Sequence, residues 1–323
     1  MTDKLKKFIE ENIELIDTED WITLYELVRK DYPRHLTGEL TATLISAGLK
    51  PDIKMTELPP HYLAYTESIT DYIISNQIKS IGYSAFYYCT NLASVNIPSG
   101  VKTIDDYAFA DCANLSTITL PNTITYIGSE AFSGCRSLTT ITVPGCTIGN
   151  SVFFNCQHLK TVILNKGLTR IGDCMFGNCF ALSNIIIPTG VDSIRDSAFV
   201  SCCNLTQVVI PDTVTYIGEN AFGDCSKLQE IIIPDSVTQI RRNAFLTCSN
   251  LTRVVIGSGI KDLGGTIFLG CTNLKEIKFN KTVYEVKSEG WHTRSIGEGS
   301  AIEKIICSDG EILLTPDPIK IGF

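Results

Sequence analysis

A phenylalanine, a cysteine three residues later and a leucine three residues after that recur nine times between Phe86 and Leu274. The phenylalanines are Phe86, Phe109, Phe132, Phe153, Phe176, Phe199, Phe222, Phe245 and Phe268. The step is 23 residues everywhere except between Phe132 and Phe153, where it is two residues shorter. A unit of that length has too little apolar surface to bury alone. Units must therefore stack and bury one another's apolar positions in a continuous core. Val214–Pro234, VTYIGENAFGDCSKLQEIIIP, carries the whole skeleton, V-x-x-I-G-x-x-A-F-x-x-C-x-x-L-x-x-I-x-I-P.

Within each unit, L-x-x-I-x-I ends in apolar alternation, as at Leu228, Ile231 and Ile233, which predicts a strand with every second side chain inward. Pro234 ends that strand because it has no N–H to donate to a ladder. The A-F-x-x-C segment, preceded by Asp106, Ser129, Asp196 or Glu219, predicts a single capped helical turn.

The repeated A-F-x-x-C…L-x-x-I-x-I-P motif closely resembles the BspA-like class of leucine-rich repeats. The resemblance covers about residues 72–307, with nine units in register. It implies a right-handed leucine-rich-repeat solenoid with a parallel β-sheet face, short helical turns and about nine to ten coils. It also implies a binding role, since such proteins are mostly surface or secreted binding and adhesion proteins.

Thirteen cysteines invite a disulfide reading, but nine of them occupy one repeat position. They should stack in a single ladder with parallel side chains, an orientation that seldom meets disulfide geometry. Free cysteine packs well as a small hydrophobe, so the ladder is expected to be reduced and buried.

The ends differ from the repeats. In residues 1–50, Leu5, Phe8, Ile9, Ile13 and Ile16 fall at helical spacing, followed by Thr18 as an N-cap, an apolar face with Trp21 and Leu24, and a stop at Pro33. A third helix through Leu40 and Leu44 ends at Gly48 and Pro51. Three short helices suit a cap on the open end of a solenoid, or a separate partner-binding module. Residues 51–71 read as a connector, 72–307 as the solenoid and 308–323 as a C-terminal cap or tail. After Phe279 the period fails. Ser288–Gly299 reads as a loop, and Ile302, Ile305 and Cys307 restore one last strand spacing.

Composition excludes several classes of function. The net charge of −8 provides no basic face for nucleic acid or an anionic membrane. No apolar run is long enough for membrane insertion. The first residues, MTDKLKKFIEEN, have no apolar core of a secretory signal, which points to a cytoplasmic location and leaves a virion component or signal-less export open. The four histidines are scattered and no catalytic, phosphate-binding or metal-ligand motif occurs, so no enzyme, cofactor or metal is expected. His158 stands where the repeat usually has Asn and reads as a structural variant.

The informative surface is the strand position between the two inward isoleucines. It reads Asn96, Thr119 and Thr142, then Ile163, Ile186, Val209, Ile232 and Val255, then Lys278. Five consecutive coils thus present an aliphatic to solvent, beside a polar rim that includes Gln207, Glu230 and Arg253. A contiguous apolar strip with a polar rim marks an interaction surface, although β-branched residues also simply suit strands. The expectation is a non-enzymatic protein that binds a macromolecule, a protein or a cell-surface ligand, on this face, with oligomers possible. An adhesin or virion attachment protein, and a spacer rod with sticky ends, are the alternatives.

Overall fold

In the computed structural model, the described residues are 3–17, 23–24, 27, 35–46, 55–291, 296 and 301–314. They fall into two compact units, Met1–Leu159 and Lys160–Phe323. Both are parallel β-solenoids, and the described residues make about ten turns in all.

The first unit opens with helices Asp3–Glu11, Ile13–Asp17 and His35–Ser46. Phe8, Leu24, Leu40 and Leu44 are buried, as their helical spacing anticipates. The expected cap at Thr18, the side chain of Trp21 and the stop at Pro33 lie outside the described residues. The helix His35–Ser46 passes so close to the following segment that a Cβ on Gly38 would sit 2.1 Å from the Ala64 carbonyl oxygen.

Each coil of this unit is built from two kinds of strand. The expected strand appears as Asp71–Ile73, Ser94–Asn96 and Thr117–Thr119, paired in parallel with Ile73, Asn96 and Thr119 in one row. A second, two-residue strand follows at the V-x-x-I segment. Glu57–Leu58, Ser80–Ile81, Thr103–Ile104, Tyr126–Ile127 and Thr147–Ile148 form a parallel ladder of their own. This ladder begins inside residues 51–71, the stretch read as a connector. After Ile127 the neighbouring coil approaches closely enough that a Cβ on Gly128 would meet the Asp106 nitrogen at 2.4 Å, whereas other coils place Asp105, Arg195 or Arg241 at the same position.

The A-F-x-x-C segment differs from the expected capped helix. The residues two before and two after each phenylalanine have left-handed backbones, for example Ser84 (φ 53°) and Tyr88 (φ 59°) around Phe86. A left-handed residue on each side prevents a helical turn. The chain instead makes successive tight turns, with the amides of Ala85, Tyr87 and Cys89 bonding back to Gly82, Ser84 and Phe86. The alternate amides, of Ser84, Phe86 and Tyr88, donate to Asp106, Ala108 and Ala110 of the next coil. The residues read as caps also act between coils. The Asp106 carboxylate accepts from the Ser129 amide at 2.6 Å, and Asp196 accepts from the Glu219 amide at 2.8 Å.

The interior stacks slot on slot. Phe86, Phe109 and Phe132 lie nearly parallel, with centroids 4.9 and 5.3 Å apart. All nine ladder cysteines are buried and unbridged. Their thiols also have a polar task that a simple hydrophobe lacks. Cys112 Sγ donates to the Phe86 carbonyl at 3.1 Å and Cys135 Sγ to the Phe109 carbonyl at 3.2 Å. Burial pushes the Cys89 and Cys156 thiols up to about 12, so they stay protonated.

The second unit repeats this design. Its short strands run from Arg170–Ile171 through Asp262–Leu263. On the other sheet Asn184–Ile186 pairs with Gln207–Val209, and Glu230–Ile233 pairs with Arg253–Ile256, which pairs in turn with Glu276–Phe279. Lys304–Cys307 adds the expected last parallel strand, and Gly310–Leu313 turns back antiparallel along it. Between Glu276–Phe279 and Lys304–Cys307 lies a helix the sequence reading did not anticipate, Val283–Ser288. Thr282 and Glu285 form a reciprocal capping box at its start, so the T-x-x-E spacing was its available signal. Trp291 packs on Phe279 at 5.9 Å, while His292 lies outside the described residues.

Candidate functional site

The strand row of the second unit follows from pleat alternation. Val162, Ile185, Ile231 and Val254 point inward and are buried, so their neighbours face solvent. Ile163 is 54 %, Ile186 71 %, Val209 58 % and Ile232 50 % exposed. Val255 is only half-buried, between Ile232 and Lys278, its register partners on either side. In the first unit the same position exposes Asn96, Thr119 and Thr142. That row also includes Ile73, 76 % exposed, which the sequence reading missed because it counted coils from the first regular repeat.

Three of the five stripe residues come together with all three rim residues. Val209, Ile232 and Val255, with Gln207, Glu230 and Arg253, line an open groove of about 1370 Å³ on the sheet face. Ile163 and Ile186 lie outside its lining. Asp212, Asp235, Ser236 and Asn280 also line it.

The charges of this groove are arranged across coils. Arg253 Nη1 donates to Glu230 Oε1 on the preceding strand. Both side chains remain substantially exposed, so the pair orients the two groups more than it stabilises the fold. The Asp235 carboxylate accepts from the Ser258 amide at 2.6 Å. That backbone bond, with side-chain bonds from Ser258 and Asn280, holds its pKa below the ordinary value. The groove thus offers an aliphatic floor, an anion at Asp235 and a paired Glu230–Arg253 rim.

Among the described residues no three His, Cys, Asp or Glu side chains gather as a metal site. His158 Nδ1 lies 2.7 Å from the Arg136 carbonyl oxygen of the coil before it. Asn91 and Asn204 bridge coils from the same repeat position, to Glu67 and Phe180. His158 therefore takes the asparagine's structural place. Among the described residues no helix is long and apolar enough to cross a membrane.

Comparison with known proteins agrees with this architecture. The family model for the BspA type leucine rich repeat region matches six copies, over residues 56–173, 145–209 and 192–299. A leucine-rich repeat protein from Bacteroides ovatus has a similar solved structure, with 30% identity and a TM-score of 0.64, over 69% of this chain. This chain spans 58% of that protein's length. A leucine rich cell surface protein from Faecalibacterium prausnitzii is 27% identical over 72% of this chain and 85% of its own, with a TM-score of 0.37. A leucine-rich repeat protein from T. pallidum is 26% identical over 54% of this chain and 71% of its own, with a TM-score of 0.40. No curated protein matches the chain. With the matched regions covering more than half of its length, the repeat skeleton, the stacked phenylalanines and the paired ladders place the chain in the BspA-type leucine-rich-repeat family.

Proposed function

We propose that the chain is a non-enzymatic binding protein that holds a protein partner on the sheet face of its second unit. The observation that carries this reading is the groove in which Val209, Ile232 and Val255 meet Gln207, Glu230 and Arg253. Ile163 and Ile186 extend the apolar surface along the same row. Strand preference alone does not require these residues, because Thr119 and Thr142 meet it equally well in the same row of the first unit. An aliphatic side chain of this size contributes on the order of 1.5–3 kcal/mol when it leaves water. Several in one strip suit a partner that buries them together, with the exposed Glu230–Arg253 pair setting register at the rim.

The test is the double variant Ile186→Thr/Ile232→Thr. Both side chains point away from the core, so the variant should fold and melt like the parent. Partners captured by the intact chain, or its self-association in sedimentation, should be weakened. If the folded variant captures the same proteins with the same strength, the stripe is strand chemistry only and the reading fails.

A further inference from the structure

The turn face of the first unit carries an aromatic surface that the coil itself does not require. Tyr65, Tyr88 and Tyr107 all stand at the left-handed turn positions, with φ of 63°, 59° and 58°. Tyrosine is a poor occupant there, since it lacks both the freedom of glycine and the local hydrogen bonds of asparagine or aspartate. The same columns in the second unit use residues such as Ser197 and Ser201, or Asn220 and Asp224. Burial does not compensate, because Tyr65 is 48 % and Tyr88 44 % exposed.

The rings gather rather than scatter. Tyr65 lies 5.3 Å from Tyr87 and 5.8 Å from Tyr88, and Tyr83 lies 5.7 Å from Tyr107. Carboxylates sit among them. The Tyr107 hydroxyl donates to Glu130 Oε1 at 2.9 Å, and that bond raises its pKa. Burial, and then the charges of Asp111 and Glu130, raise that of Tyr87. The charged side chains that most raise the pKa of these two hydroxyls, Asp111 and Glu130 at Tyr87 and Glu130 and Asp106 at Tyr107, are all negative.

We infer that this tyrosine platform is a second binding site and that its ligand is a basic segment of a partner protein. Arg or Lys side chains seat over the ring faces and direct their charge at Asp111 and Glu130. The complementarity is chemical: ring faces attract cations, and guanidinium stacks on them with little loss of hydration. The adjacent carboxylates disfavour anionic ligands and add nothing specific for a neutral one. The inference is independent of the groove in the second unit.

An oligo-arginine peptide and a citrulline peptide of equal length, titrated into the full chain by calorimetry, test it. The arginine peptide should bind, more weakly as salt rises, and the neutral isostere should not. Asparagine tolerates the left-handed backbone, so Tyr65→Asn/Tyr88→Asn should keep or raise the melting temperature and weaken the peptide about tenfold. That variant leaves the net charge unchanged, so undiminished binding would mean attraction to the acidic surface at large and would overturn the site. Asp111→Asn/Glu130→Gln keeps the rings and should weaken binding to a similar degree. Equal binding of the citrulline peptide, preference for a neutral oligosaccharide, or a lowered melting temperature of the tyrosine variant would each overturn the inference. The last would make the tyrosines structural.

Discussion

The two units share one interior and differ in what they show to solvent. Inside, both stack Phe on Phe at similar spacing, 5.3 Å for Phe109–Phe132 and 5.4 Å for Phe222–Phe245. Both also tie ladder thiols to a phenylalanine carbonyl in the coil before, as at Cys135 and Cys225. Outside, the first unit has tyrosines on its turns and mostly polar residues along its strand row. The second has small polar residues on its turns and aliphatics along that row. Interior slots are constrained because each side chain is packed between two copies of itself. Exterior positions face water, where almost any residue is tolerated, so their differences are available to recognition.

If the interior is common, alkaline pH should weaken both units alike, and this is the largest effect expected. The buried thiols have pKa values raised by desolvation, to about 12 at Cys89 and Cys156 and well above the ordinary value at Cys225 and Cys248. In the unfolded chain they ionise at about 8.5. The folded state therefore holds protons that the unfolded state releases. The stabilisation is complete below the unfolded pKa and is lost as pH rises from about 8.5 towards the folded values, by up to about 1.4 kcal/mol per pH unit for each thiol. Circular dichroism melts between neutral and alkaline pH should fall steeply. Before unfolding, the half-buried Cys174 and Cys203 should label first, both in the second unit. Early labelling at Cys112 or Cys135 would break the picture of a common sealed interior.

A single interior deletion tests the same equivalence on a smaller scale. Phe109→Ala and Phe222→Ala should each cost about 3–5 kcal/mol in chemical denaturation, because each removes a ring stacked on both sides. A large loss in one unit and a negligible one in the other would mean that the interiors are not equivalent.

The first unit has its own end to protect. We expect its helices to cover the first coil, since Gly38 lies against the Ala64 carbonyl with no room for a side chain. A chain starting at residue 55 should melt at least about 5 °C lower and scatter more light on heating. Unchanged melting and solubility would make the helical segment a separate module.

The smallest effect concerns the strand rows and sharpens the contrast most directly. Exchanging Thr119→Ile and Ile186→Thr should each change stability by no more than about 0.5 kcal/mol. Ile231→Thr, one residue from the exposed row but fully buried, should cost several times more. Equal costs at Ile186 and Ile231 would contradict the inward and outward assignment.

Much of this molecule is legible in its residues for a physical reason. A repeated slot leaves a repeated residue, so the Phe, Cys and Leu ladders and the inward isoleucines could be placed from spacing alone. The outward row, with Ile186 and Ile232, came from the same alternation. The short strands were harder to see because two residues such as Tyr216–Ile217 are too few to display a period. The left-handed turns were hidden behind a shared chemistry. An Asp or Ser oxygen accepts a backbone amide at a helix cap and between coils alike, so Asp106 and Ser129 read as caps although they serve the neighbouring coil and the left-handed residues are the next ones, Tyr107 and Glu130. The helix Val283–Ser288 was missed where the period lapses, even though Thr282 and Glu285 marked its start.

Repeat spacing is enough to place the stacking, the register of the repeats, the buried thiol ladder and the direction of the strand side chains. All of these follow from a period and from which residues avoid water. The tertiary structure alone decided which exposed residues become neighbours. Alternation puts Val209, Ile232 and Val255 in one row, but only the packed coils enclose them with Gln207, Glu230 and Arg253 around one groove. Tyr65 belongs to one coil and Tyr87 and Tyr88 to the next, and their rings meet where left-handed turns at Tyr65 and Tyr88 bring the two coils' side chains to one patch of surface. Periodicity records how each residue relates to the core. Contacts between solvent-facing side chains depend on coil twist, backbone handedness and rotamer, none of which a repeat spacing encodes.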